Sequence, residues 1–282
     1  MIELGVITDE ISLDLERALK IISELGVYKV ELRTVWDKNI SEVNDIEAEE
    51  INKLLRKYNV KVGAIGSPFG KCHLDDKEEY MYHLRMLDHL TRLADIFHTQ
   101  IIRIFAFWKP PGPEEVRIPL EGELLSQVVE KLTPAVKFAE RAGKILALET
   151  EGSTYVGTCQ EAYKIVSAIN NKTLTVCWDI ANGWYCGENP LEGYNYIRRL
   201  ITHLHIKDFT VEPTTLKKKG CIVGEGIIPY DLIFKNLLLD GFLGMASIET
   251  HLFFGDPDGF TKLEKATIQS IINLQEILDN IK

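Results

Sequence analysis

The sequence predicts an α/β protein of the (β/α)8 barrel class, and three observations carry that expectation. Eight short apolar stretches with strand character begin near residues 2, 29, 61, 101, 144, 174, 203 and 246. The spacing, 27 to 43 residues, is the length of one strand, one loop and one helix. Between them the apolar period changes from strand-like to helical. The alternation is strict, which makes the strands parallel, and eight such units close into a barrel. An open doubly wound sheet is the alternative, but no G-x-G-x-x-G or Walker A loop accompanies it.

The expected strands cover 2–7, 29–35, 61–67, 101–107, 144–149, 174–179, 203–207 and 246–250. The fifth, with Ile145, Leu146, Ala147 and Leu148, is apolar on both parities, as a parallel strand covered on both faces should be. Leu15, Ala18, Leu19, Ile22 and Leu25 form the stripe of the first helix, which Gly26 terminates. The second helix turns Ile51, Leu54 and Leu55 inward. The third, over 77–98, uses Tyr80, Leu84, Leu87, Leu90 and Ile96, leaving His83, His89 and His98 for the surface. The fourth, over 121–142, contains Pro134, where a kink or break is expected. The fifth runs over 160–169, Pro190 opens the sixth and Pro229 the seventh, and Leu263, Ala266, Ile271, Leu274 and Leu278 mark the eighth.

Residues 1–282 read as one domain, with 45% hydrophobic and 26% charged residues and no linker or composition shift. Five scattered cysteines without CxxC spacing suggest reduced thiols in a cytoplasmic protein. The N-terminal residues show no export signal, and no stretch approaches the roughly 20 apolar residues of a membrane span. A net charge of −10 argues against a broad nucleic-acid surface.

The chemistry should sit where the strands end. Glu149, Asp179, His205 and Glu249 close strands five to eight at matching parity, so all four can point into the lumen at one level. Glu151, Lys207 and His251 can line the rim above them. A carboxylate at the end of a buried strand is costly to desolvate alone, and three converging carboxylates repel one another unless compensated. A single divalent cation does this most simply; the O3N set suits Mn, Mg, Co or Zn. Taken singly, each residue is more often a helix cap, a salt-bridge partner or a core histidine. Four on successive strand ends favour a metal site.

At these residues the chain resembles the xylose isomerase-like TIM barrels, the sugar phosphate isomerases and epimerases. The matching pieces are Leu148-Glu149-Thr-Glu151, Trp178-Asp179-Ile-Ala-Asn182, His203-Leu-His205-Ile-Lys207-Asp208, Gly224-Glu225-Gly226 and Ser247-Ile-Glu249-Thr-His251. They span essentially the whole chain and are specific as a set. The resemblance implies that Glu149, Asp179, His205 and Glu249 hold one divalent metal, and that Glu149 and Glu249 exchange protons with a small carbohydrate. Two departures concern the substrate. Members acting on free ketoses commonly carry His where Asn182 stands, and Arg shortly after the metal His, whereas no Arg occurs over 206–216.

The expected activity is isomerisation or epimerisation of a small sugar, sugar phosphate or polyol derivative through an enediolate, with Glu149 and Glu249 catalytic. Lys207, Glu151, Asn182, His251, Trp108 and Trp184 are the candidate substrate contacts. Dehydration of a cyclic polyol ketone on the same site is an alternative, as is a non-catalytic sugar-binding barrel. Partners other than the small molecule are not expected, neither nucleic acid nor membrane, although a homodimer or tetramer is compatible. Glu31 and Arg103 share inward parity and are expected either to pair low in the barrel or to touch substrate. Lys217-Lys-Lys219 reads as a solvated turn, and Gly224-Glu225-Gly226 as a turn before the seventh helix.

Overall fold

The computed structural model describes residues 2–253 and 258–281. Its centre is a closed barrel of eight strands: β1 (Glu3–Ile7), β2 (Lys29–Leu32), β3 (Lys61–Gly66), β4 (Ile101–Ile104), β5 (Ile145–Glu149), β6 (Leu174–Asp179), β7 (Ile201–Ile206) and β8 (Met245–Ile248). The strands follow one another around the ring in chain order, β8 pairs back onto β1, and every pairing is parallel. The helices are α1 (Leu15–Glu24), α2 (Asp45–Lys57), α3 (Lys77–Ile96), α4 (Gly122–Arg141), α5 (Cys159–Ile169), α6 (Ile180–Tyr185), α7 (Pro190–Ile197), α8 (Tyr230–Leu239) and α9 (Gly259–Asn280).

Local chemistry starts most of the helices. Asp14, Asn44, Asp76, Thr158 and Asn189 each accept backbone N–H groups in the first turn of the helix that follows. Asn44 with Glu47, and Thr158 with Glu161, complete capping boxes. The buried core joins the outer strand faces to the helices: Val30, Ile65, Ile102, Leu146, Val176, Leu204 and Ile248 meet Leu19, Ile51, Leu90, Val136, Ile165, Ile197 and Ile271. The lumen is different. Its middle layer holds Glu31, Arg103, His203, Ser247 and Cys177, all buried, where barrels usually stack branched aliphatics.

Several expected features differ. Strand four stops at Ile104 rather than 107, because Phe105, Phe107 and Trp108 leave the barrel and hydrogen-bond to Phe69, Gly70 and Cys72. Strand two stops at Leu32; Thr34–Val35 turns away to pair antiparallel with Lys38–Asn39. A short helix, α6, occupies what was expected to be a loop, because Asp179 caps it. Helix α4 runs unbroken through Pro134. His83 is buried, contrary to expectation, since its Nδ1 accepts the Gly70 N–H at 3.1 Å. Lys218 and Lys219 lie in a strand, Lys218–Cys221, paired antiparallel with Asp208–Val211. No helix among the described residues is long and apolar enough to cross a membrane.

Candidate metal centre and active site

Glu149, Asp179, His205 and Glu249 converge at the C-terminal mouth of the barrel. One potential ligand atom from each lies within 4.8 Å of the others, and all four residues are buried. Register brings them near one another: Glu149 sits opposite Cys177, two residues before Asp179 on the same face of β6, and Asp179 sits opposite His205. Glu249 follows β8 directly, its N–H bonded to Ile206 O.

His205 is held from behind. Its Nε2 lies 3.0 Å from Glu31 Oε2, which also takes His203 Nε2 at 2.6 Å. A carboxylate is only an acceptor, so Glu31 keeps a proton on Nε2 and turns Nδ1 towards Glu149 Oε1 and Glu249 Oε2, each at 3.4 Å. Nδ1 has no hydrogen-bond partner although it is fully buried. Burial disfavours the imidazolium, but Cys177, Glu31 and Glu149 outweigh it and raise the His205 pKa well above its usual value.

The carboxylates are unequal. Asp179 Oδ1 caps α6 by accepting from Asn182 N at 2.9 Å, while Oδ2 lies 2.8 Å from Lys207 Nζ. Burial pushes Asp179 up to about 7; Lys207 opposes this, and Glu249 and Glu149 add to it. Burial also disfavours ionised Glu149, yet His205 and Arg103 hold it below the usual range; Arg103 Nε stands 3.1 Å from its Oε2. Glu249 is held well below that range against burial, chiefly by Lys207, with the nearby imidazoles of His205 and His251 adding to it. Arg33 Nη1 reaches Glu249 Oε1 at 2.6 Å, and the same guanidinium binds Asp9 and Glu10. This O3N set fits a divalent cation: it is buried, acidic and tetradentate, and it leaves an imidazole nitrogen unpartnered.

Above these residues is a cavity of about 270 Å³ lined by Arg33, Phe105, Glu114, Tyr185, Lys207 and Glu249 among others. Glu151, Asn182 and His251 also face it, as expected. Asn182 spends its side-chain N–H on Thr150 O, and Glu151 Oε1 receives Ser153. Lys207, expected at the rim, instead reaches down among the carboxylates. Trp184 is not among the lining residues; its ring packs edge-on against Phe209, and Tyr185 faces the cavity in its place. Trp108 lines a neighbouring groove with His73 and Tyr155. The Arg103–Glu31 pair is present at 3.9 Å, but Arg103 stands closer to Glu149.

Arg33, Lys71, Glu114, Phe105 and Tyr185 had not been foreseen. Arg33 shares the parity of Glu31 two residues away, and that signal was available in the sequence. Phe105 likewise shares the parity of Arg103 in the expected fourth strand, whereas Lys71 and Glu114 come from loops and Tyr185 from α6, where alternation gives no direction. The Gly224–Gly226 loop cradles Asp208, whose carboxylate accepts N–H groups of Gly224, Gly226 and Ile228. A Cβ at Gly226 would fall 2.0 Å from Asp208 Oδ1, so only glycine fits there.

Comparison with known proteins places this geometry. The family model described as xylose isomerase-like TIM barrel matches residues 19–269. An inosose dehydratase of Clostridium botulinum is 29% identical over 159 residues, 52% of this chain and 51% of that protein. One from Clostridium beijerinckii is 26% identical over 142 residues, 46% of this chain and 47% of that protein, so the chain spans about half the length of these curated relatives. Among solved structures, the IOLI protein with a bound zinc atom has a TM-score of 0.79 at 20% identity, covering 100% of this chain and 99% of the other. The fold of the whole chain and the matched family model agree: the chain belongs to the xylose isomerase-like TIM barrel family.

Proposed function

We propose that the protein is a divalent-metal-dependent enzyme that moves a proton at carbon in a small polyhydroxylated carbonyl compound, as an isomerase or epimerase. The observation that carries this reading is the convergence of Glu149, Asp179, His205 and Glu249 beneath a small polar cavity. Those four residues would hold the ion; bound there, it would supply Lewis-acid polarisation of the substrate carbonyl. Zinc and magnesium in solved relatives support the cofactor class.

The chain's own groups perform the proton transfer. Glu149 and Glu249 are held ionised by neighbouring cations, so each can act as a base at neutral pH. They come from strands three steps apart on the ring, so one ionised glutamate would remove a proton, and the other, once it has taken a proton from solvent, would deliver that proton to a different face or carbon of the enediolate. Lys207 and Arg33 fix the Glu249 carboxylate, and Arg103 fixes Glu149. Tyr185 and Phe105 wall the cavity and limit water.

A second reading keeps the first step and then expels a β-hydroxyl, as a dehydratase of a cyclic polyol ketone. The partial likeness to inosose dehydratases favours it. The test is metal analysis of the purified protein, then incubation with a panel of ketoses, aldoses and inososes in D2O. Deuterium at carbon with isomeric product supports isomerisation, and an absorbing enone supports dehydration. Replacing either Glu149 or Glu249 by Gln should lower turnover by roughly 10² or more. Full retention of the substrate's own hydrogen over many turnovers would remove both glutamates from the acid–base role.

A further inference from the structure

The cavity carries its own statement about substrate charge. Five carboxylates line it, Glu114, Glu149, Glu151, Asp208 and Glu249, with Asp179 beneath; the lining cations are Arg33, Lys71, Arg103 and Lys207. Each of these cations is already engaged. Arg33 binds Asp9, Glu10 and Glu249. Arg103 lies between Glu31 and Glu149, and Lys207 between Asp179 and Glu249. Lys71 lies over the rings of Phe105 and Trp108, 3.9 Å from Glu151. Lys218, in the nearby ribbon, donates to Trp184 O and Tyr185 O, while Lys217 and Lys219 face solvent. Among the described residues carboxylates outnumber cations here, the more so because Arg33 and Arg103 are shared with Asp9, Glu10 and Glu31, and a divalent ion would offset part of that excess. Among the described residues no cation lining the cavity is left over for a phosphate or a carboxylate on the substrate.

Glu114 sharpens this. It lies on the long segment between β4 and α4, which is pinned on both sides of it. Lys109 Nζ donates to Pro113 O at 2.9 Å and Val116 O at 3.3 Å. Arg117 binds Glu161 through two N–H groups and donates to Gly152 O and Thr154 O, both at 2.8 Å. Between these anchors Glu114 faces the cavity, half-buried, and makes no hydrogen bond or ion pair among the described residues. Its Oε2 packs so closely on the turn after β5 that a Cβ at Gly152 would lie 2.8 Å away. Burial, and then Glu151, push its pKa upwards. A half-buried carboxyl that faces the cavity is free to take a ligand, and a sugar hydroxyl would satisfy it as donor or acceptor.

Resting on the proposed carbohydrate function, we propose that the site takes a neutral polyhydroxylated substrate, and that Glu114 is the specificity residue that binds a hydroxyl and turns away phosphorylated and carboxylated analogues. The test is calorimetric binding to the manganese-loaded protein. The probes are D-fructose and myo-inositol beside D-fructose 6-phosphate and myo-inositol 1-phosphate. The neutral compounds should bind at least about tenfold tighter than their phosphates, about 1.4 kcal/mol. Glu114→Gln should narrow that ratio and Glu114→Lys should narrow it further or reverse it; circular dichroism checks the fold, and the Gln variant suffices if the Lys variant fails to fold. Tighter binding of the phosphates to the wild type, or a ratio unmoved by either substitution, overturns the inference and leaves the metal-dependent reading standing. If neither class binds at millimolar concentration, the carbohydrate reading falls and this inference falls with it.

Discussion

His205 shows how a single side chain is prepared on one face and left open on the other. Glu31 grips Nε2, and Nδ1 is buried among carboxylates without a hydrogen bond. An unpaired buried polar atom is costly, and a metal would remove that cost. Replacing His205 with Ala should therefore abolish most metal binding while the barrel persists by circular dichroism. Glu31→Gln, which leaves the ligand set intact but weakens its orientation, should cost about 10- to 100-fold in metal affinity. Both are read by calorimetry and by metal analysis after gel filtration. Stoichiometric metal retained by the Ala variant would sink the assignment of these four residues. Arg33 has a related place: one guanidinium ties Glu249 to Asp9 and Glu10, so the end of β8 is fixed by groups that follow β1 and β2.

At the scale of elements, the site depends on two loops joined beyond the barrel rim. The segment after β3 pairs with the segment after β4 through Phe105 N to Phe69 O and Phe107 N to Gly70 O. Gly70 has φ +88°, and a Cβ there would lie 2.0 Å from Phe105 O, so glycine is required for this close approach. His83 of α3 accepts the Gly70 N–H and so holds the junction to the helix layer. Burial lowers the His83 pKa below its usual 6.5, with Glu79 opposing. The unfolded chain then takes up a proton near pH 6.5 that the folded protein refuses. This stabilising contribution is present above pH 6.5 and fades as pH falls below it, by at most about 1.4 kcal/mol per unit. Urea midpoints at pH 7.5 and 5 should differ less for His83→Gln, which still accepts from Gly70 but does not titrate; an equal difference in both proteins would contradict this role. None of it was legible in the sequence. Period two and period 3.6 identify β4 and α3, but nothing in them says that the chain after Ile104 leaves one ladder to join another. The four converging residues were legible because each sits at a strand end, where parity fixes direction. Arg33 was within reach of the same rule, whereas Glu114 takes its direction from the loop anchors Lys109 and Arg117 and Tyr185 from the helix that Asp179 caps, neither of which alternation describes.

The whole molecule sets a limit on partners that no one residue does. It carries a net charge of −10, and the cavity at the barrel mouth has more carboxylates than cations, each cation already engaged. A DNA duplex presents one negative charge about every 1.7 Å, and affinity for it comes from releasing counterions through unengaged lysines and arginines. Within the cavity Arg33, Arg103 and Lys207 could be recruited only by breaking the pairs that orient Glu149, Asp179 and Glu249. The long-range field acts the same way, slowing the approach of a polyanion at low salt. Cluster-metal nucleases on this fold would also need more histidines than the mouth supplies: no His occurs over 206–228, and position 182 is Asn. The protein is therefore expected neither to bind nor to nick duplex DNA carrying an abasic site, with manganese, magnesium or zinc present. Fluorescence anisotropy should show no saturable binding at physiological salt, and gel analysis no metal-dependent strand cleavage. Cleavage at nanomolar enzyme, lost in His205→Ala, would mean that the acidic mouth tolerates phosphate after all, and the case for a neutral polyol would have to be abandoned with it.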